Sequence, residues 1–405
     1  MSPISWFRKP GVGYVLRSLM FLLQKLGGLY IKKTDAIFIA APQGFRFADN
    51  SRFLFQYMYE QNINCYYMVN RKDVFDQLQQ IYGSKILFAY SLRAFVQYLK
   101  SSCLVYAYAD WDFHPYQVER SKLVINLWHS ISIKKLGLAA GMSKIHQLKL
   151  KKEMELIDAF VASSEIEGHS LFDCFGLSSE KILVSGTPRN DYLIKEIPNE
   201  NLAIKNPELK KRTILYCPTF RNKGITNLLP FNDFDLVALD AFLEKNDTNL
   251  LIRKHHREWY YQKAMGYDEL ANCNRIFKAG QGEYEEVQEL LPHIDILMTD
   301  YSGIYFDFLL LDRPMIFAPY DIDQFGEKPG FLFDYEENTP GAKVYDTAHF
   351  MKEIENLING TDKYKNHRNA TRDKFHQYQD GKSSERVLNY IQSHKKFNKG
   401  NSSVA

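Results

Sequence analysis

Ile294-Asp295-Ile296-Leu297-Met298-Thr299-Asp300-Tyr301-Ser302-Gly303 runs from an apolar stretch into a small polar turn, and Ile304 to Leu311 then reads as a helix. That order, strand then turn then helix, belongs to α/β proteins with a parallel sheet. The turn leaves backbone N–H groups and the positive end of a helix at the strand's carboxyl edge, where phosphate is readily held. Thr299 and Ser302 add hydroxyl donors, and Gly303 permits close backbone approach. The same residues also suit an ordinary helix cap, with Asp300 or Ser302 closing the first turn.

The pattern repeats in both directions. Upstream, Ala36–Ala41, Ile63–Val69, Lys85–Phe88, Cys103–Tyr106, Leu123–Leu127, Ala159–Ala162 and Ile182–Ser185 read as buried strands, with helices over Asn50–Glu60 and Leu92–Lys100. A second series comprises Thr213–Tyr216, Asn249–Ile252, Arg275–Phe277, Ile294–Met298 and Met315–Phe317, with polar helices after Phe350. The sequence therefore predicts an α/β chain of two Rossmann-like doubly wound domains facing across a cleft, over 35–194 and 213–394, with 195–212 as linker and 395–405 as a flexible tail. Pro198 and Pro207 mark the linker.

The bulk properties agree. The chain has 405 residues, 45% hydrophobic, 14% aromatic and 24% charged, with a net charge of +3. At about 150 residues per domain, two or three domains fit, each with a substantial core. Disordered, collagen-like and disulfide-scaffold classes are excluded. The near-balanced charge argues against nucleic acid as a partner. Cys65, Cys103, Cys174, Cys217 and Cys273 form no C-x-x-C pair, so neither a zinc site nor a disulfide framework is indicated, and a reducing compartment is expected.

One region departs from that balance. Residues 1–34 carry Arg8, Lys9, Arg17, Lys25, Lys32 and Lys33 and no acidic residue until Asp35. Between these charges Tyr14 to Leu26 is largely apolar, yet too short and too charged to span a bilayer comfortably. It reads as an amphipathic helix lying on an anionic membrane surface, at the cytoplasmic face, or as a first helix packed onto the domain.

Three further sites carry chemistry. His129 directly follows the strand Leu123–Leu127, at the sheet edge where ligands bind, and a histidine there suits general base work near neutral pH. Arg253, Lys254, His255, His256 and Arg257 gather charge after Asn249–Ile252, fit for a diphosphate. Metal is not expected there, since adjacent histidines diverge and no carboxylate completes a site. Pro218-Thr219-Phe220-Arg221 places another arginine after Thr213–Tyr216.

Taken together and in order, Asn50-Ser51-Arg52, Trp128-His129, Lys134-Lys135, Ser185 to Asp191, Tyr216 to Arg221, Ile252 to His255, Thr299 to Ser302, Phe306-Asp307, Asp312-Arg313-Pro314, Gly330 to Glu336 and Pro340-Gly341 resemble the CDP-glycerol glycerophosphotransferase family of teichoic-acid and capsule polymer synthesis. The resemblance implies a glycosyltransferase-B-like fold. It implies His129 as the base that deprotonates an acceptor hydroxyl and His255 near the donor pyrophosphate. Donor phosphate then falls to Arg221, Arg253, Thr299, Asp300, Ser302 and Gly303, and the nucleotide to Pro218, Thr219, Tyr301 and Asp307. Ser130, Lys134, Arg189, Asn190 and Asp191 lie on the acceptor side. Three motifs differ: the family's His-Gly-Thr-Pro reads His129-Ser130-Ile131-Ser132, His-Pro reads His255-His256, and Ser-Ser reads Ser302-Gly303.

The expectation is transfer of glycerol phosphate from CDP-glycerol to a lipid-linked glycan or polyol-phosphate hydroxyl, with release of CMP and no obligatory metal or other cofactor. A CDP-ribitol donor, a nucleotide-sugar transferase or epimerase on the same architecture, and a binding protein without turnover stay open at this level.

Overall fold

The computed structural model describes residues 12–195, 200–219, 229, 231–254 and 269–398. The chain divides into two compact units. One comprises Met1–His129, Ser143–Asp191 and Lys382–Ala405, the other Ser130–Met142 and Tyr192–Gly381.

In the first unit, α1 (Val12–Tyr30) precedes β1 (Ile37–Ala40), α2 (Asp49–Glu60), β2 (Cys65–Val69), α3 (Lys72–Tyr82), β3 (Ile86–Phe88), α4 (Leu92–Lys100), β4 (Cys103–Tyr106), β5 (Leu123–Asn126), α5 (Lys144–Leu156), β6 (Ala159–Ala162), α6 (Glu165–Phe175) and β7 (Ile182–Val184). The strands form one parallel sheet in the order β3-β2-β1-β4-β5-β6-β7. Strands β1, β4, β5 and β6 are buried along their whole length, which is why they read as unbroken apolar runs. The strand order reverses between β1 and β4, so the loops after these two strands frame the site at which such sheets take ligands.

The second unit holds β8 (Arg212–Cys217), β9 (Thr248–Ile252), β10 (Ile276–Lys278), β11 (Ile296–Thr299), β12 (Met315–Phe317) and β13 (Ala342–Lys343), again all parallel, in the order β10-β9-β8-β11-β12-β13. Its reversal lies between β8 and β11, whose register runs from Ile214 beside Ile296 to Cys217 beside Thr299. Leu239, Leu243, Phe350 and Ile354 cover this sheet's core.

The division departs from the sequence boundaries in three places, the first being that Tyr192 to Arg212, expected as the end of the first domain and a linker, falls in the second unit. Helix Ser383–Ser393 belongs to the first unit: Val387, Leu388, Ile391 and Phe397 join its core, and Lys396 pairs with Asp158 at 2.6 Å. Lys395–Asn398, expected in a loose tail, is a helical turn with Phe397 buried. Residues 130–142, expected in the first domain, belong to the second unit. There Leu332 N–H donates to Ile133 O at 2.8 Å and Lys135 N–H to Gly330 O at 3.0 Å.

Helix α1 packs through Gln24, wholly buried, whose amide donates to Gln117 O at 3.1 Å and accepts from Gln117 N–H at 3.1 Å. Leu19, Leu22, Leu23, Leu26 and Leu29 are 51%, 54%, 44%, 48% and 76% exposed. Their spacing of three and four residues puts them on one outward face. Among the described residues, no helix is long and apolar enough to cross a membrane.

At the carboxyl end of α4, the buried Lys122 ammonium donates to Tyr98 O at 2.8 Å, Leu99 O at 3.1 Å and Ser101 O at 2.7 Å. It satisfies carbonyls that a helix end otherwise leaves orphaned.

Candidate active site

In the first unit, the path of the chain after β5 is fixed before His129 is reached. Leu127 N–H donates to Tyr106 O at 2.7 Å, and Trp128 N–H to Asn126 Oδ1 at 2.7 Å. Trp128 then takes φ +54°, a left-handed conformation that a bulky residue adopts only when its surroundings impose it. Asn50 imposes it, its Nδ2 donating to Leu127 O at 3.3 Å and Trp128 O at 2.9 Å. The imidazole of His129 comes to rest face to face with Tyr108, ring centroids 4.4 Å apart and planes 5° from parallel.

Tyr108 is itself tethered. Its hydroxyl donates to Asp49 Oδ2 at 3.3 Å, and burial together with the Asp49 charge pushes its pKa upward, so it stays a neutral donor. Asp49, at φ +58°, accepts from Arg189 Nη1 at 2.9 Å, a pair whose side chains are 11% and 10% exposed. Asn50 Oδ1 accepts from Arg189 N–H at 3.0 Å. Loops following β1, β4, β5 and β7 thus converge around His129. Asp49 and Tyr108 were not expected from sequence. Tyr108 had a legible signal, an aromatic two residues beyond a strand at the sheet's reversal point.

The other residues expected on the acceptor side divide. Asn190 is buried in the turn after β7, its N–H donating to Thr187 O at 3.0 Å. Asp191 has a different surrounding from the one expected: both carboxylate oxygens accept backbone N–H groups, of Ser383 and Ser384, each at 2.7 Å. It caps helix Ser383–Ser393 and anchors the returning chain. Ser130 and Lys134 lie on the segment carried by the second unit, where Lys134 bridges antiparallel to Phe331.

In the second unit, the loops after β8 and β11 are locked to each other at the reversal point. Thr219 N–H donates to Asp300 Oδ1 at 2.8 Å, and Thr299 Oγ1 donates to Cys217 O at 2.7 Å. Asp300 and Thr299 therefore shape the turn from within, both almost wholly buried, while Ser302 and Gly303 are half-buried at its rim. Tyr301, expected on the nucleotide, is instead buried: its ring stacks on Phe325 with centroids 4.0 Å apart and its hydroxyl donates to Asp321 Oδ1 at 3.0 Å. Asp307 accepts from Gln288 Nε2 at 3.2 Å. Arg253, at the carboxyl end of β9, uses Nη1 to grip Ala279 O at 2.9 Å, Gly280 O at 3.2 Å and Tyr284 O at 2.7 Å, bracing the loop after β10.

Gly303 has a role of its own. At φ −65° and ψ −6° any residue fits its backbone, so the need is for space. A Cβ there would lie 2.2 Å from Ser130 Oγ and 2.4 Å from Ile131 O. Two of the three departures from the family pattern, at 130 and at 303, are thus in contact, the larger residue on one side meeting glycine on the other.

Arg221 and His255 lie outside the described residues. Among the described residues there is no group of three or more His, Cys, Asp or Glu suited to a metal.

Comparisons with known proteins follow the same lines. A teichoic acid glycerol-phosphate transferase of Staphylococcus aureus is 27% identical over 373 residues, covering 88% of this chain and 92% of that protein. A teichoic acid poly(ribitol-phosphate) polymerase of Bacillus spizizenii is 30% identical over 293 residues, 69% of this chain and 44% of that longer protein. The solved wall teichoic acid polymerase TagF superposes with a TM-score of 0.74 at 22% identity over 100% of both chains, a likeness of fold that bears out the glycosyltransferase-B-like class. The model of one family, described as CDP-Glycerol:Poly(glycerophosphate) glycerophosphotransferase, matches residues 22–393. With nearly its whole length inside that match, the chain belongs to the CDP-glycerol glycerophosphotransferase family.

Proposed function

We propose that this enzyme transfers glycerol phosphate from CDP-glycerol to a hydroxyl of a lipid-linked acceptor in teichoic-acid or related polymer synthesis. The acceptor hydroxyl gives its proton to His129, its oxygen attacks the glycerol-side phosphorus, and the bond from that phosphorus to the CMP phosphate breaks. CMP leaves with the electron pair. The turn Thr299–Gly303, with Arg253 and the motif residues Arg221 and His255, carries the charge of the leaving phosphate. One observation carries this reading. In each unit the family's motif residues gather on loops at the carboxyl ends of the strands flanking the sheet's reversal, His129 in the first and Thr219 with Thr299–Gly303 in the second.

The outward apolar stripe of α1 supports a peripheral seat on an anionic membrane, with Lys25 and Lys32 exposed on the same helix and just beyond it. Such a seat brings the enzyme to a lipid-linked acceptor.

The test is CMP release from CDP-glycerol with a synthetic lipid acceptor, run beside CDP-ribitol and UDP-sugars, with and without chelator. Turnover with CDP-glycerol in chelator is expected. His129→Ala should slow it about 10²–10⁴-fold. Near-normal turnover of a folded His129→Ala protein refutes the role of the base; CMP release from CDP-ribitol alone moves the donor to ribitol, a reading favoured by the ribitol-phosphate polymerase among the relatives.

A further inference from the structure

We propose that Tyr108 is a positioning residue for the base, fixing the plane of the His129 imidazole and stabilising its charged form. The inference rests on the reading of His129 as general base and adds a residue outside the motifs that led to it. Three observations carry it. The rings are 5° from parallel at 4.4 Å, so the imidazole has lost rotation about its Cβ–Cγ bond toward that side. The tyrosine cannot drift, because its hydroxyl is held by Asp49 and Asp49 by Arg189. The backbone that delivers His129 is held separately, by Asn50 on the carbonyls of residues 127 and 128.

A base that accepts a proton becomes an imidazolium, and a cation over an aromatic face is favoured by the ring's quadrupole. Tyr108 thus acts twice: before transfer it keeps the ring oriented, and after transfer it supports the charge. The charged groups around this stack are Asp49 and Arg189, with Arg46 also acting on the Tyr108 hydroxyl; Asp112, whose carboxyl burial pushes up to about 7, accepts the Tyr108 N–H at 2.9 Å. All four stay in place when the ring alone is changed.

The experiment compares Tyr108→Leu, Tyr108→Phe and His129→Asn in the full-length protein, measuring kcat, KM for CDP-glycerol and the pH profile of kcat/KM. Tyr108→Leu should lower kcat about 10–100-fold, the scale of a misplaced catalytic group, with KM within about twofold. Its acidic limb should move down by about half a pH unit as the imidazolium loses its support. Tyr108→Phe keeps the face and should restore kcat to within about threefold of the unaltered protein. A folded Tyr108→Leu with unchanged kcat and pH profile, alongside an inactive His129→Asn, overturns the proposal while leaving the base in place. An active His129→Asn overturns the base itself. If Tyr108→Leu does not fold, a series of increasingly fluorinated phenylalanines at 108 keeps shape and drains the π face. The acidic limb should then fall stepwise, and a limb that stays fixed overturns the proposal.

Discussion

Replacing Gly303 with alanine tests how the segment after His129 is seated on the turn Thr299–Gly303. The added Cβ meets Ser130 Oγ at 2.2 Å and Ile131 O at 2.4 Å, both well inside ordinary contact. The serine can rotate away, at the loss of its 2.8 Å bond to Ile131 O, worth about 0.5–1.5 kcal/mol. The carbonyl belongs to the backbone and must shift the segment that carries it. Overpacking of this kind costs about 1–3 kcal/mol, against a gain of about 0.4–1 kcal/mol from the stiffer unfolded chain. The net expectation is about 1–2 kcal/mol of destabilisation. Ser130→Gly in the same chain relieves the hydroxyl's clash but not the carbonyl's, so the double variant should recover part of the loss. Gly282→Ala, where nothing lies within 4 Å, should be neutral or slightly stabilising. Urea midpoints and CMP release on the unaltered protein, the three single variants Gly303→Ala, Ser130→Gly and Gly282→Ala, and the double variant decide it. A Gly303→Ala protein with unaltered midpoint and turnover, or a double variant whose losses simply add, refutes the steric account.

Lys122→Met should destabilise the first unit by about 2–4 kcal/mol, because Leu99 O and Ser101 O lose this donor while Tyr98 O keeps the Ser101 hydroxyl; an unchanged urea midpoint would show that water replaces it. Burial outweighs four backbone N–H contacts and pushes the Asp112 carboxyl up to about 7, so the folded protein keeps a proton that the unfolded chain has lost. Stability from this group is therefore full below about pH 4 and fades as pH rises through 7. Asp112→Asn should flatten that part of the stability profile, and an identical slope in both proteins would exclude Asp112 as its source. Leu22→Glu with Leu26→Glu should abolish co-sedimentation with phosphatidylglycerol vesicles while CMP release onto a water-soluble acceptor persists. Retained vesicle binding would remove α1 from the membrane seat.

Much of the fold was legible because buried parallel strands are contiguous apolar runs: Cys103–Tyr106, Ala159–Ala162 and Met315–Phe317, and the helix Leu92–Lys100, stand at the bounds read from sequence. Chain crossings were not legible. What assigns residues 130–142 to the second unit is pairing with Gly330–Leu332, and what assigns the last helix to the first is Asp191 and four apolar side chains, contacts remote in sequence. At the site, position along a strand marked His129 and the turn at Thr299–Gly303. It could not separate groups that line the turn from groups that build it, as with Tyr301, because both kinds occupy strand ends and only burial tells them apart.

The return of residues 383–398 to the first sheet bears on how the protein can be taken apart. A polypeptide ending at Gly381 would leave the Asp191 carboxylate facing no amide and expose the apolar surface that Val387, Leu388, Ile391 and Phe397 cover. Neither half is a contiguous gene segment, so recombinant halves should aggregate singly, and adding the terminal helix as a separate peptide is the natural route to complementation.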